Sequence, residues 1–386
     1  MPHTPRKLPL LSLTDPIRIE GLEPENLYGS LYHLGRCVVH TGDSQYSAAC
    51  RDLHMLTEAQ LSLALQGIEV TFEEYFRHRA GMAVECGEEN AAALEALRAH
   101  FDEVLTHALL DRTITDKDIL DAVSILEGAP VEQLFRSSLP LEHPTGETDL
   151  PLYYAPPAAD ELEEYWKSLT AYMARTDLHP ILQAGVVHGQ VLLMQPAERG
   201  GGLIARLVSM FLPCTALEDY ALLGMSFKFF NWLGQYAQAV QALVEKGDWN
   251  AWLSYYLEAA LDAAVTVYSM PHSVENVLRD VRKVVKYDSD PVLSHQVYFA
   301  LEQPIFSEDQ AASALKGRVE PEGFRKVMTS LIRKGLVERI QTRTKTRSAV
   351  YKFPKLFQRF ELDDIVSERK AAAKRCSAGL ESPTFF

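Results

Sequence analysis

The chain has little of what would fix it to a membrane, staple it with disulfides or hold a structural metal. None of its 386 residues fall in an apolar run of the roughly 18 that a membrane span needs. Met1 to Asp15 holds prolines and basic side chains but no apolar stretch, so neither a signal peptide nor a spanning helix is expected. The five cysteines, Cys37, Cys50, Cys86, Cys214 and Cys376, are scattered, odd in number and never in a CxxC pair, which argues against a disulfide framework and against a zinc site. The expectation is a soluble protein of the reducing cytoplasm with no membrane partner.

What the chain does have is apolar material and uneven charge. Hydrophobic residues make up 47%, enough for one large core or for two to three domains. The net charge of −14 conceals a basic stretch: residues 318–359 carry twelve Lys and Arg against three Glu, a local +9 that leaves −23 for the remainder. One basic module on an acidic body is what a nucleic-acid-binding end produces, and also what a solvated charged face produces.

Between Asp177 and Arg206 the sequence DLHPILQAGVVHGQVLLMQPAERGGGLIAR reads as helix, loop, helix. Apolar residues recur at helical spacing from Leu178 to Met194, with Pro180 where a first turn tolerates it. Residues 195–199 break the period, Gly200, Gly201 and Gly202 follow, and Leu203, Ile204, Leu207, Val208 and Phe211 restart it. Glycines there serve either a plain tight turn or the close approach of backbone amides to an anion.

This stretch resembles, without a gap, the Fic family signature HPFx(D/E)GNGRxxR. The family's catalytic His falls on Gln195, its Pro on Pro196, its Phe on Ala197 and its acidic metal ligand on Arg199. Its Gly-Asn-Gly falls on Gly200, Gly201 and Gly202, and its two arginines on Leu203 and Arg206. LALQGIEVTFEEYF, residues 63–76, is similar to the family's inhibitory helix, with Ser62 and Gly67 kept and Gln66 in the place of the inhibitory Glu. LYYAPPAADELEEYW is similar to the flap that clamps the target, which puts Tyr154, Pro156 and Pro157 there. Residues 236–263 resemble the helices that follow the motif, and 290–354 a winged-helix extension, so the likeness covers about residues 45–360.

The resemblance implies a mainly α-helical protein: a Fic-fold helical bundle with a short β-hairpin flap, plus a C-terminal winged helix-turn-helix. The implied division is an N-terminal helical region, 1–110, with the degenerate inhibitory helix at 62–67, a Fic-like core at 111–285, the winged helix at 290–357 and a tail at 361–386.

The chemistry that the resemblance implies is incomplete. Nucleotidyl transfer to a hydroxyl needs a base, a metal ion and donors for the phosphate oxygens. Gln195 cannot accept a proton, Arg199 puts a cation where a magnesium ligand should be, and Leu203 drops a phosphate contact. Ordinary AMP transfer is therefore not expected, nor is magnesium. Arg199, Gly200, Gly201, Gly202 and Arg206 remain as an anion cradle for a nucleotide such as ATP or ADP. His188 lies two turns, about 10 Å, before Gln195 on the same helical face. It and His179 read as structural histidines, or His188 serves as the base of a rearranged site. Gln66 lacks the charge of the inhibitory Glu, so either it clamps Arg206 weakly and without pH dependence, or Gly67 merely caps a helix.

The C-terminal stretch reads as three helices, over Val292–Leu301, after an N-cap at Ser307, and up to Gly335, followed by two short strands around a basic turn. Arg325, Lys326, Arg333 and Lys334 fall on the third helix, and Arg343, Lys345 and Arg347 at the wing tip, a spacing that suits DNA backbone contacts. Protein contacts or internal packing are the alternative use of such a module. The functional expectation is a regulatory or interaction protein, with DNA, a protein or a second copy of itself as partner. The competing reading is an enzyme of altered, metal-independent chemistry on a nucleotide or phosphorylated substrate.

Overall fold

The computed structural model describes residues 47–111, 113–138, 156–177, 179–217, 225–263, 279, 299–300, 302–317 and 320–357. The flap strand with Tyr154, most of the helix expected over 292–301 and the tail lie outside the described residues.

Helices build the fold around one buried pair. α1 (Ser47–Ala64), α2 (Phe72–Arg79), α3 (Glu88–Leu110), α4 (Asp116–Glu127) and α5 (Leu162–Met173) precede α6 (Pro180–Met194) and α7 (Gly201–Leu217), which pack along each other. α8 (Met225–Asn231), α9 (Leu233–Lys246) and α10 (249–263) follow. From Gln183 to Met194 every residue of α6 is buried, which is why its sequence is apolar all round rather than on one stripe.

Close packing of α6 rests on two glycines. A Cβ on Gly185 would come within 2.7 Å of Tyr256 Cδ1, and one on Gly189 within 2.7 Å of Trp249 Cζ3 and 2.8 Å of Trp252 Nε1. The missing side chains let the aromatic face of α10 approach the α6 backbone, and Trp252 Nε1 donates to the Gly185 carbonyl at 2.9 Å.

Local signals set the helix ends. α1 closes as the Gly67 reading requires: Ile68 N bonds Leu63 O at 2.9 Å, Gly67 N bonds Ala64 O at 3.1 Å, and Gly67 has φ +81°. α2 and α4 open with capping boxes, Thr71 with Glu74 and Thr115 with Asp118. The sequence reading did not single out α4, although its Thr115 box and its left-handed Gly128 cap are both legible signals.

The C-terminal stretch contains one strand more than expected. β1 (Ile305–Ser307), α11 (Glu308–Ala314), α12 (Pro321–Arg333), β2 (Glu338–Gln341), β3 (Val350–Lys352) and α13 (Pro354–Phe357) include an antiparallel sheet of order β1-β3-β2. β1 was hidden because three residues are too few to show a period of two. Alternation splits the sheet between two apolar clusters. Phe306 and Tyr351, paired across β1 and β3, join the cluster of Phe324, Met328 and Leu331 from α12. Ile305 and Val350 join the main core instead. On that side Lys352 pairs with Glu73 of α2 at 2.7 Å, and Gln310 Nε2 donates to the Arg79 carbonyl.

Gly189→Ala is expected to lower unfolding free energy by about 1–3 kcal/mol through overpacking against Trp249 and Trp252. Gly201→Ala, whose Cβ meets only ordinary contacts at 3.8 Å, should change it by less than about 1 kcal/mol. Urea denaturation of both variants checks this, and equal midpoints would sink the account of α6 packing.

Candidate functional site

The turn between α6 and α7 holds an uncommon backbone. Gln195, the C-cap of α6, has φ 43° and ψ 70°, and among the described residues it is the one non-glycine with positive φ. Its amide bonds the Val191 carbonyl at 2.9 Å, and it is 2% exposed. Its side chain lies over the first turn of α7, with Cγ 3.8 Å from where a Gly201 Cβ would be. Gly200 has φ +76° and a Cβ there would meet Leu126 at 3.0 Å, so this glycine is required twice over.

A buried arginine that the sequence reading missed holds the turn. Arg136 is 4% exposed; its Nε donates to the Gln195 carbonyl at 2.8 Å, Nη1 to the Ser138 carbonyl at 2.8 Å and Nη2 to the Pro157 carbonyl at 2.6 Å. Its backbone N–H bonds the Pro196 carbonyl at 2.7 Å. The guanidinium thereby joins the end of α6 to Pro157 of the expected flap; Pro156 and Pro157 are both buried. A lone Arg after Leu134 and Phe135 carries no sequence pattern that would have revealed this.

The residues expected to cradle an anion divide between two places. Arg199 is exposed and lines a groove of about 650 Å³ together with Val123, Leu134, Ala197 and Glu198. Gly200, Gly201 and Gly202 are buried at the start of α7. Arg206, 2% exposed, turns its guanidinium to α1, where Nη2 donates to the Ser62 carbonyl at 2.9 Å and Nε to Ser62 Oγ at 3.3 Å. The Gln66 side-chain amide is buried with no hydrogen-bond partner, so it does not engage Arg206 by hydrogen bond.

A carboxylate within reach of the Arg206 charge is Glu58, two turns before Gln66. It is 1% exposed, its Oε2 accepts from Ser226 N at 3.3 Å, and the Arg206 charge acts on it. Burial pushes its carboxyl from the ordinary 4.5 up to about 7, against the opposing pull of Ser226 and Arg206. Ser62 Oγ lies 3.3 Å from Ser226 Oγ, so Glu58, Ser62, Ser226 and Arg206 form one network across α1, α7 and α8. The spacing of Glu58 and Ser62, four apart, was the legible signal for this face.

His188 is wholly buried. Its Nδ1 is 3.0 Å from Ser209 Oγ and its Nε2 3.3 Å from Tyr236 OH, within the rings of Phe229, Trp252 and Tyr256. Burial, then the charge of Arg206, holds it well below its ordinary pKa, so it is neutral and enclosed. His179 stands at the N-cap of α6 with no side-chain cap bond.

A magnesium ion does not fit the groups present. A guanidinium, Arg199, occupies the expected ligand place, and the Glu198 carboxylate accepts instead from Ser137 Oγ at 3.4 Å and Ser138 Oγ at 3.3 Å. Among the described residues no three His, Cys, Asp or Glu side chains gather as a metal site. Arg206 is already engaged by α1, and Arg199 shares its groove with the carboxylates of Glu127, Glu132 and Glu198.

The basic residues of the C-terminal stretch lie on its outside. Arg325, Lys326, Arg333, Lys334, Arg343, Lys345 and Arg347 are all exposed, the first four on or just after α12 and the others in the loop between β2 and β3. Arg325 and Arg343 pair with Glu308, at 2.5 and 3.4 Å, and Lys326 with Glu322 at 3.0 Å.

No family model matches the chain, and no curated protein matches it. Solved structures do. A Fic family protein from Desulfovibrio desulfuricans G20 is 16% identical with a TM-score of 0.54, covering 88% of this chain and 98% of its own. A Fic domain containing signaling protein from Bacteroides thetaiotaomicron VPI-5482, 16% identical, aligns over 63% of this chain and 97% of its own with a TM-score of 0.48. Fic-1 from C. elegans, 14% identical, aligns over 63% and 71% with a TM-score of 0.44. The first of these likenesses establishes the fold: the chain has the helical Fic fold. No helix among the described residues is long and apolar enough to cross a membrane.

Two outcomes follow from the buried charges. Arg136→Met should cost about 3 kcal/mol, since it strands the buried carbonyls of Gln195 and Pro157, whereas Glu198→Ala at the exposed end should stay within about 0.5 kcal/mol. A loss under about 1 kcal/mol for Arg136→Met in urea denaturation would contradict the clamp. Because the folded pKa of Glu58 is raised, its contribution to stability is full below 4.5 and is lost as pH rises to about 7. Glu58→Gln removes that loss, so its melting temperature relative to the parent should climb between pH 4.5 and 7.5. His54, lowered by burial to about 4, slopes oppositely in both proteins and cancels in the difference. A pH-independent difference would show that Glu58 is not held protonated.

Proposed function

We propose that this Fic-fold chain is a regulatory protein that binds rather than modifies: its motif has lost AMP transfer, and its C-terminal stretch contacts DNA. The observation that carries the first half is Gln195. It stands where the resemblance puts the catalytic base, buried and without proton affinity, while the nearby imidazole of His188 is enclosed by aromatic rings. Arg199 in the metal-ligand place and Arg206 engaged by Ser62 support the same reading.

Support for DNA comes from the C-terminal stretch. A sheet of order β1-β3-β2 with α11 and α12 packed on it agrees with a winged helix-turn-helix, and seven exposed cations lie along α12 and the β2–β3 loop. In that arrangement α12 lies in the major groove and the loop touches phosphate.

A second reading has one observation in its favour. Arg199 is exposed beside the buried amides that begin α7, at a groove large enough for a nucleotide, so a phosphorylated ligand can bind there without metal and gate the DNA-binding end. Titration with ATP or ADP, without magnesium, against Arg199→Ala separates the two: heat lost in the variant favours this reading.

Incubated with labelled ATP, the parent and Gln195→His should both transfer no AMP to protein, because restoring the base leaves Arg199 and Leu203 unchanged. A random 30-base-pair duplex should be bound with affinity falling steeply in salt. Lys345→Ala with Arg347→Ala should flatten the slope of log K against log salt by about 2. AMP transfer by the parent, or salt-independent binding, would overturn the proposal.

A further inference from the structure

Glu308 sits at a junction that the charge count alone does not explain. It is the first residue of α11, its backbone N–H bonds the Ala349 carbonyl at 2.8 Å, and its side chain is only 10% exposed. Two cations from different elements converge on it: Arg325 from α12 and Arg343 from the β2–β3 loop. The three line a cleft of about 380 Å³ between α11 and α12, floored by Leu315 and Phe324.

The manner of the contact matters more than its charge. Arg325 donates to Glu308 through Nε, at 2.5 Å, and among the described residues nothing accepts from its two terminal nitrogens. A carboxylate bound at Nε fixes the plane of a guanidinium and leaves the Nη1–Nη2 edge presented as a rigid two-donor fork. That fork matches the O6 and N7 acceptors of guanine in the major groove. Arg325 lies in the second turn of α12, on its outward face with Glu322, Lys326 and Thr329, while Phe324 and Met328 face the core. N-terminal residues of a recognition helix are those that reach base edges.

The geometry points to Arg325 as the residue that reads a guanine in double-stranded DNA, with Glu308 as its positioning residue and Arg343, Lys345 and Arg347 on phosphate. This rests on the DNA-binding reading above and adds sequence specificity to it. Lys326, paired with Glu322 four residues earlier, has no such backing by a buried carboxylate and serves the phosphates.

The test is selection of the full chain on a randomised 20-base-pair duplex library, followed by anisotropy titration of the enriched duplex and of a single G·C to A·T change in it. The parent should enrich a G·C pair at one fixed position and prefer it roughly five- to 150-fold. Arg325→Ala and the charge-keeping Arg325→Lys should both lose that preference, with binding to unrelated duplexes kept by the lysine variant. Glu308→Gln should weaken the preference while raising affinity for unrelated duplexes, because one opposing charge is gone. Thermal melts establish that each variant is folded. If the parent binds duplexes without base preference, or Arg325→Lys keeps the preference, base reading by Arg325 is overturned while DNA binding stands. A uniform rise in affinity for Glu308→Gln with the preference intact overturns the positioning role. Failure of the parent to bind any duplex overturns the DNA reading and this inference together.

Discussion

Burial of α6 on every side is the constraint on which the rest of the structure depends. A helix with no solvent face must find partners for each polar group inside the protein. Gln183 donates to the carbonyls of Tyr172, Met173 and Arg175 and so satisfies the end of α5. His188 meets Ser209 and Tyr236. Gly185 and Gly189 admit the aromatic face of α10, and Arg136 takes the carbonyl of Gln195. The α6–α7 turn is held by the same accounting that satisfies the core.

The two arginines of the motif stretch, Arg199 and Arg206, have opposite environments. Arg206 is drawn inward to α1, where Ser62 and the raised carboxyl of Glu58 share its network. To reach a ligand this guanidinium would have to give up its bonds to Ser62, which is costly for a buried charge. Arg199 stays outside, on the groove, and keeps its charge in water.

The C-terminal sheet works as a two-sided joint. Its alternation sends Ile305 and Val350 to the main core and Phe306 and Tyr351 to the α12 cluster, while Lys352 pairs with Glu73 of α2. α2 follows the Gly67 turn at the end of α1, so the basic surface of α12 is joined through α2 to the helix that holds Arg206. This continuity makes the Fic-fold body and the basic stretch one packed unit at that seam.

Much of the fold was legible because its signals are local. The apolar period of α6, Pro180 at its start, the Gly67 and Gly335 turns and the Ser307 cap each depend on residues within a turn or two of one another. The gapless motif likewise located Gln195, Arg199 and Arg206. What stayed hidden depends on distance in sequence: Arg136 reaches Gln195 across 59 positions, Arg206 reaches Ser62 across 144, and β1 meets β3 only when both exist. Gln66, which the resemblance paired with Arg206, is left aside because the direction in which α1 packs presents Ser62 and Glu58 instead. The sequence by itself determined the helices, their caps and the presence at position 195 of a glutamine, which takes no proton, since those follow from side-chain chemistry and short-range periodicity. Only the tertiary structure decided which charges face inward, because burial and pairing belong to helices brought together from remote parts of the chain.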